Sequence, residues 1–183
     1  VFCRGLFAGD DAPLSLTREL NLLLDGVHAV LERHLPVVAT GFDDRARRVL
    51  LDELGAVASA YRHAFYQQGL SGDLVAVDRR SLLNLLDVAL AYIDQTLRAN
   101  RRGDDLYHAY NTLQLGDGSA AVEHLYEMLE GQVAILSSGL LAADEALALL
   151  KALRRSNLYR ADQHSYILYP DRELPGFLAK NYV

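Results

Sequence analysis

The sequence predicts an all-α fold of antiparallel helical hairpins, arranged as a bundle or an α/α-type array, with an irregular, partly extended C-terminal tail. Two observations predict it. Apolar residues recur at three- and four-residue steps over long stretches, and most of these stretches open on a capping residue and close on a glycine or a polar break. No series of alternating strand patterns competes with them.

Residues 1–14, with Gly5, Gly9, Asp10, Asp11 and Pro13, carry no period and read as an N-terminal arm or linker; residues 15–183 read as a single helical domain. Leu16, Leu20, Leu23, Val27 and Val30 predict a helix over 15–34, capped by Ser15 or Thr17 and stopped by Pro36. Asp43 or Asp44 caps a second over 43–68, striped by Val49, Leu50, Leu54, Val57, Tyr61, Ala64 and Phe65 and ended by Gly69. Leu82, Leu85, Leu86, Ala89, Leu90, Ile93 and Leu97 mark a third over 79–99. Behind Ser119, the residues Val122, Leu125, Met128, Leu129, Val133 and Leu136 mark a fourth over 119–138, with Gly139 as its left-handed terminal residue. Leu147, Leu150 and Leu153 mark a fifth over 142–155, close enough in sequence to pair with the fourth as an α-hairpin. In the tail, 156–183, the β-favouring Tyr159, Tyr166, Ile167, Leu168 and Tyr169 precede Pro170 and Pro175; it reads as an extended clamp finished by one helical turn near Phe177.

With 183 residues the chain can bury a substantial core. Its formal charge of -6, without a basic block, argues against nucleic acid as a partner. Cys3 is the single cysteine, so no internal disulfide or zinc ribbon is possible. Apolar runs fall well short of the ~20 residues of a membrane span, which predicts a soluble chain with no membrane partner, and the single cysteine, with nothing to suggest secretion, makes a cytoplasmic location the default expectation. The start at Val1, without the regions of a signal peptide, reads as a domain excised from a longer protein.

The densest chemistry lies in the loop 98–111. Arg101, Arg102, Tyr107, Tyr110 and Asn111 suit the binding of an anionic or polyhydroxylated ligand, because guanidinium groups grip anions and tyrosines stack on rings. Asp104, Asp105 and His108 are the candidates for proton transfer there. The simpler reading is a solvated turn whose tyrosines dock it on the core. Glu123, His124, Glu127 and Glu130 fall on neighbouring turns of the predicted fourth helix and read as a solvated acidic face; a di-iron bundle needs a second copy and the opposite order, so no metal or other cofactor is expected. His28, His34 and His63 read as structural. Asp162 pairs in principle with Arg160 or Arg172 to tie the tail. Nucleophile elbows, phosphate loops and zinc-protease helices have no match.

The runs Leu106-Tyr107-His108-Ala109-Tyr110-Asn111, Leu125 to Gln132, and Arg160 to Pro170 resemble the terminal part of large uncharacterised bacterial proteins, over roughly residues 85–183. The resemblance implies one part of a bigger chain and brings no established activity. The expected function is a helical scaffold or interaction module of a multidomain bacterial protein, its partners being other domains of the parent or a second copy. The alternative is part of a carbohydrate-active α/α-toroid-like enzyme whose sugar-binding loop is 98–111.

Overall fold

The computed structural model describes residues 1–9 and 12–181. Asp10 and Asp11 of the predicted arm, and the last two residues of the tail, lie outside them. Among the described residues, 56% are helical and 15% are in strands, forming seven helices and three two-stranded antiparallel sheets. The all-α expectation is therefore corrected to a mixed α/β chain. The elements run α1 (Phe2–Phe7), β1 (Leu14–Thr17), α2 (Arg18–Thr40), α3 (Asp44–Gln68), β2 (Leu74–Val77), α4 (Arg79–Ala99), β3 (Asn111–Gly116), β4 (Ser119–His124), α5 (Leu129–Ser137), α6 (Ala143–Arg155), β5 (Tyr159–Arg160), β6 (Ser165–Tyr166) and α7 (Phe177–Lys180).

The chain divides into two compact units, Val1–Ala99 with Leu113–Val122, and Asn100–Thr112 with Glu123–Val183. In the first, α2 packs against both α3 and α4. Thr17 ends β1 and caps α2, its hydroxyl accepting the Leu20 amide at 3.4 Å. Pro36 does not stop the helix: α2 gives up one internal amide there and continues to Gly41, which leaves it at φ 86. Asp43 caps α3 through the Ala46 amide at 2.7 Å, and Gly69 closes it at φ 70.

Helices α2 and α3 run antiparallel. Gly26 meets Val57 where the axes come close, and farther along Arg33 and His34 both reach Glu53 Oε2, at 2.6 and 3.2 Å. On the other flank, the Tyr92 hydroxyl of α4 donates to the Leu31 carbonyl at 2.7 Å and its ring lies 5.7 Å from Phe42. Burial is sparse: Val30 in α2 and Leu85 in α4 are enclosed, whereas no described residue of α3 is.

Two strand pairs account for the overturned helical readings. β1 pairs with β2 from Leu14 opposite Val77 to Thr17 opposite Leu74, so the residues before Arg18 are held by a partner distant in sequence. The helix expected over 119–138 is strand β4, a short link and α5. Asp117-Gly118 joins β3 to β4, with Gly118 at φ 69, in the left-handed region that glycine enters without strain. Arg47 of α3 donates to the buried Ala120 carbonyl and Arg48 to that of Gly116 at 2.7 Å, so both strand ends near the turn are held.

In the second unit, Leu106, Ala152, Leu153 and Leu158 form the core, with Leu129 against it. The tail caps α5: the Leu129 amide, which has no partner within its own helix, donates to the Leu168 carbonyl at 3.0 Å.

Gly26 and Gly55 provide opposite tests of this packing. A Cβ added at Gly26 would lie 2.8 Å from Val57 Cγ1, whereas at Gly55 nothing lies within 4 Å. Gly26→Ala is expected to lower stability, because overpacking of about 1–3 kcal/mol outweighs a helix-propensity gain under about 1 kcal/mol. Gly55→Ala is expected to raise it by that propensity gain. Urea denaturation of both variants checks the two signs.

Candidate functional site

The loop between α4 and β3 is a tight reversal. Arg101 and Tyr107 bridge as an antiparallel pair, the Arg102 amide donates to the Leu106 carbonyl at 2.8 Å, and Asp105 takes φ 65 at the bend. Asp104 lies on the bend's inner edge. Its Oδ1 accepts the Leu106 amide at 3.2 Å and Arg102 Nε at 3.0 Å, and its Oδ2 accepts Arg102 Nη2 at 2.9 Å. Arg102 also lies 3.4 Å from Glu127, and Arg101 pairs with Asp105 at 2.7 Å. The hydrogen bonds from Arg102 are the main cause holding the Asp104 carboxyl below its usual range, against a smaller opposing effect of burial. That direction suits a permanent anion and opposes a proton-donating acid near neutral pH.

What anchors the reversal is Gln132 on α5, which is fully buried. Its Oε1 accepts the Tyr107 amide at 2.9 Å, and its Nε2 donates to the carbonyls of Tyr107 at 2.8 Å and Met128 at 3.0 Å. The side-chain amide thus pairs with the Tyr107 peptide as a neighbouring strand would, using both of its N–H groups. Beside it, Gly131 lets the helix approach: a Cβ there would lie 2.7 Å from that of Ala109. Leu106 and Tyr107 are buried as a result.

Beyond this anchor, His108 stacks on His124 with ring centroids 3.9 Å apart and planes 10° from parallel. His108 Nδ1 lies 3.3 Å from the Leu125 carbonyl, and His124 Nδ1 lies 2.8 Å from Asn111 Oδ1. Asn111 in turn donates from Nδ2 to Asn100 Oδ1 at 2.7 Å. Each Nδ1 faces an oxygen acceptor and so donates its hydrogen there. Burial first, then the adjoining His124, lower the His108 pKa from its ordinary value. Among the described residues, no three His, Cys, Asp or Glu side chains are grouped to hold a metal.

The predicted site residues are therefore divided. Asp104 and Asp105 line a cleft of about 380 Å³ with Leu106, Ala152, Arg155 and Ser156, whereas His108 is held by the imidazole of His124. Arg101 and Arg102 are committed to the loop's own aspartates, Tyr107 is buried, and Asn111 serves the histidine pair. Tyr110 remains over half exposed, its hydroxyl donating to Glu130 at 2.9 Å. Arg98 stays on the last turn of α4, in the first unit. The acidic helical face expected at Glu123, His124, Glu127 and Glu130 is corrected: the first two lie on β4, Glu127 faces Arg102, and Glu130 holds Tyr110. Sequence reasoning misses Gln132, His124 and Glu127 as partners of the loop; only the hairpin signal Asp117-Gly118 points to the strand pairing that brings His124 to His108. In the tail, Arg160 grips Asp162 at 3.0 Å through two nitrogens, while Arg172 lies over the Tyr126 ring at 4.6 Å. No helix among the described residues is long and apolar enough to cross a membrane.

No protein-family model matches this chain, and no curated protein matches it in sequence.

Gln132→Leu leaves the amide and carbonyl of Tyr107 buried without partners, an expected loss of roughly 2–6 kcal/mol at about 1–3 per group. Gln132→Glu is expected to lose a comparable amount, because a carboxylate has no hydrogen to give the Tyr107 and Met128 carbonyls; chemical denaturation measures both.

The partly buried position of His108 also sets a pH dependence. Since folding lowers the His108 pKa, the unfolded chain binds more protons below about 6.5. The stability attached to His108 is complete above that value and falls away as pH drops through the lower folded value. Denaturation midpoints across this range are expected to fall less steeply in His108→Gln than in the parent.

Proposed function

We propose that this chain is a scaffold or interaction module, docking against other domains of a larger parent protein. The observation carrying the reading is an exposed apolar stretch at the end of α3 and after it. Phe65 and Tyr66 meet edge to face with centroids 5.6 Å apart, yet are 42% and 75% exposed; Leu70 and Leu74 follow at 48% and 65%. Aromatic rings of this kind are the usual anchors of protein interfaces, since they bury much area at little conformational cost. Helix α3 gives the stretch a rigid base, held to α2 by Arg33, His34 and Glu53. The ion-paired loop 98–111 supports the same reading, because its arginines and aspartates are used to shape the chain.

The double change Phe65→Ser, Tyr66→Ser is expected to alter stability by under about 1 kcal/mol, as exposed substitutions do. Hydrogen–deuterium exchange is then compared over 65–74 in the chain alone and within the parent protein. Slower exchange in the parent, abolished by the double change, supports docking. Equal exchange in both, with a mass that does not vary with concentration, overturns it; protection that depends on concentration alone assigns the surface to a second copy instead.

A further inference from the structure

Independently of the surface at 65–74, we infer that the outer edge of β3 pairs antiparallel with β3 of a second copy, joining two hairpins into one continuous sheet. The hydrogen bonding of the hairpin shows which groups that edge offers. Tyr110 and Leu125 stand opposite each other just beyond the strands, as Gly116 and Ser119 do at the turn, and the Leu125 amide donates to the Tyr110 carbonyl at 3.3 Å. Bonded and non-bonded pairs alternate along an antiparallel ladder, so Thr112 and Gln114 bond to β4 while Leu113 and Leu115 turn their N–H and C=O groups outward. Ala120, opposite Leu115, conforms: its carbonyl faces away from β3 and accepts from Arg47. Among the described residues, no hydrogen bond from outside the hairpin reaches the backbone of Leu113 or Leu115.

All six residues of β3 are exposed, and none is a proline or a charged residue, the usual guards of a strand edge. A second copy fits this edge because Leu113-Gln114-Leu115 reads the same in both directions. A two-fold axis at Gln114 sets Leu113 opposite Leu115 of the second copy, and Leu115 opposite its Leu113, as bonded pairs that use the outward groups of both residues. The side chains agree with the backbone. Leu113 and Leu115, 45% and 65% exposed, project on the same face as the fully buried Ala120, so pairing aligns the leucines of both copies as a continuation of that apolar face. With no charge on the strand, no like charges are set opposite each other. The far edge of the hairpin is closed where Arg47 takes the Ala120 carbonyl, so the association ends at two copies.

The contact is small, so a Kd of roughly 1 µM to 1 mM is expected. Sedimentation velocity across that range is expected to show the mass rising from monomer toward dimer. The double changes Leu113→Glu, Leu115→Glu and Leu113→Lys, Leu115→Lys each set like charges opposite across the axis, and each is expected to stay monomeric, with the fold checked by circular dichroism. Mixed together they set Glu opposite Lys and are expected to form a mixed dimer. A second readout places a thiol on the axis, where the non-bonded pair brings the chains within about 4.5 Å and a disulfide can close. Gln114→Cys, made with Cys3→Ser to remove the native exposed thiol, is expected to cross-link on oxidation, whereas Asp117→Cys in the same background is not. A parent that stays monomeric up to about 1 mM, like-charge variants that dimerise as the parent does, a mixture that stays monomeric, or equal cross-linking at positions 114 and 117 would overturn the inference.

Discussion

The second unit depends on one buried amide. Gln132 presents to Tyr107 the donor and acceptor that a β-strand would present, and a loop that has no sheet to join is held by a helix instead. Because all three of its hydrogen bonds lie where water does not reach, each is costly to lose. With Tyr107 fixed, Leu106 enters the core beside Leu153 and Leu158, and the chain must reverse within the residues before it. The charged side chains of that reversal then pair with one another, and Arg102 also reaches Glu127.

This ordering explains how the reactive side chains of the loop come to be engaged with one another and with the backbone. Asp104 satisfies a backbone amide and a guanidinium at once, and Asp105, in the left-handed region, keeps Arg101 engaged. Exposed pairs of this kind contribute little singly. Here their effect is geometric, since they fix the course of a bend whose two sides are already tied by backbone bonds from Arg102 to Leu106 and from His108 to Asn100. The His108 amide donates to the Asn100 carbonyl at 2.9 Å, and Asn100 also receives the Asn111 side chain, so the imidazole stack rests on a hydrogen-bonded frame.

Much of the helical structure is legible because its signals are local. Asp43, Gly69 and the stripe between them specify α3 without reference to any distant residue, and α4 and α6 likewise fall within a residue of the spans read from their patterns. Most of the departures involve partners brought together by pairing or by packing. Val122 and Leu125 fit a helical stripe with Met128 and Leu129, but Asp117-Gly118 turns the chain, and Ser119–His124 gains a strand neighbour in β3. Ser15 to Thr17 read as the start of α2 because the strand that pairs with them, Leu74–Val77, lies beyond two intervening helices. Pro36 carries the local signal of a stop, although one lost amide bond late in a long helix leaves the others intact. For the candidate loop, residue types single out a charged and aromatic segment, but the commitment of its arginines, the burial of Tyr107 and the meeting of His108 with His124 follow from tertiary contacts that no spacing encodes.

The central claim, that the loop is a rigid extension of the core anchored at one peptide, is tested most directly by native-state hydrogen exchange at the Tyr107 amide. Its acceptor is the fully buried Gln132 side chain, so the proton is expected to exchange only when the second unit opens, as slowly as the core amides of α6. Exchange at Tyr107 as fast as at the exposed Gly103 would show that the loop opens on its own and would contradict the account.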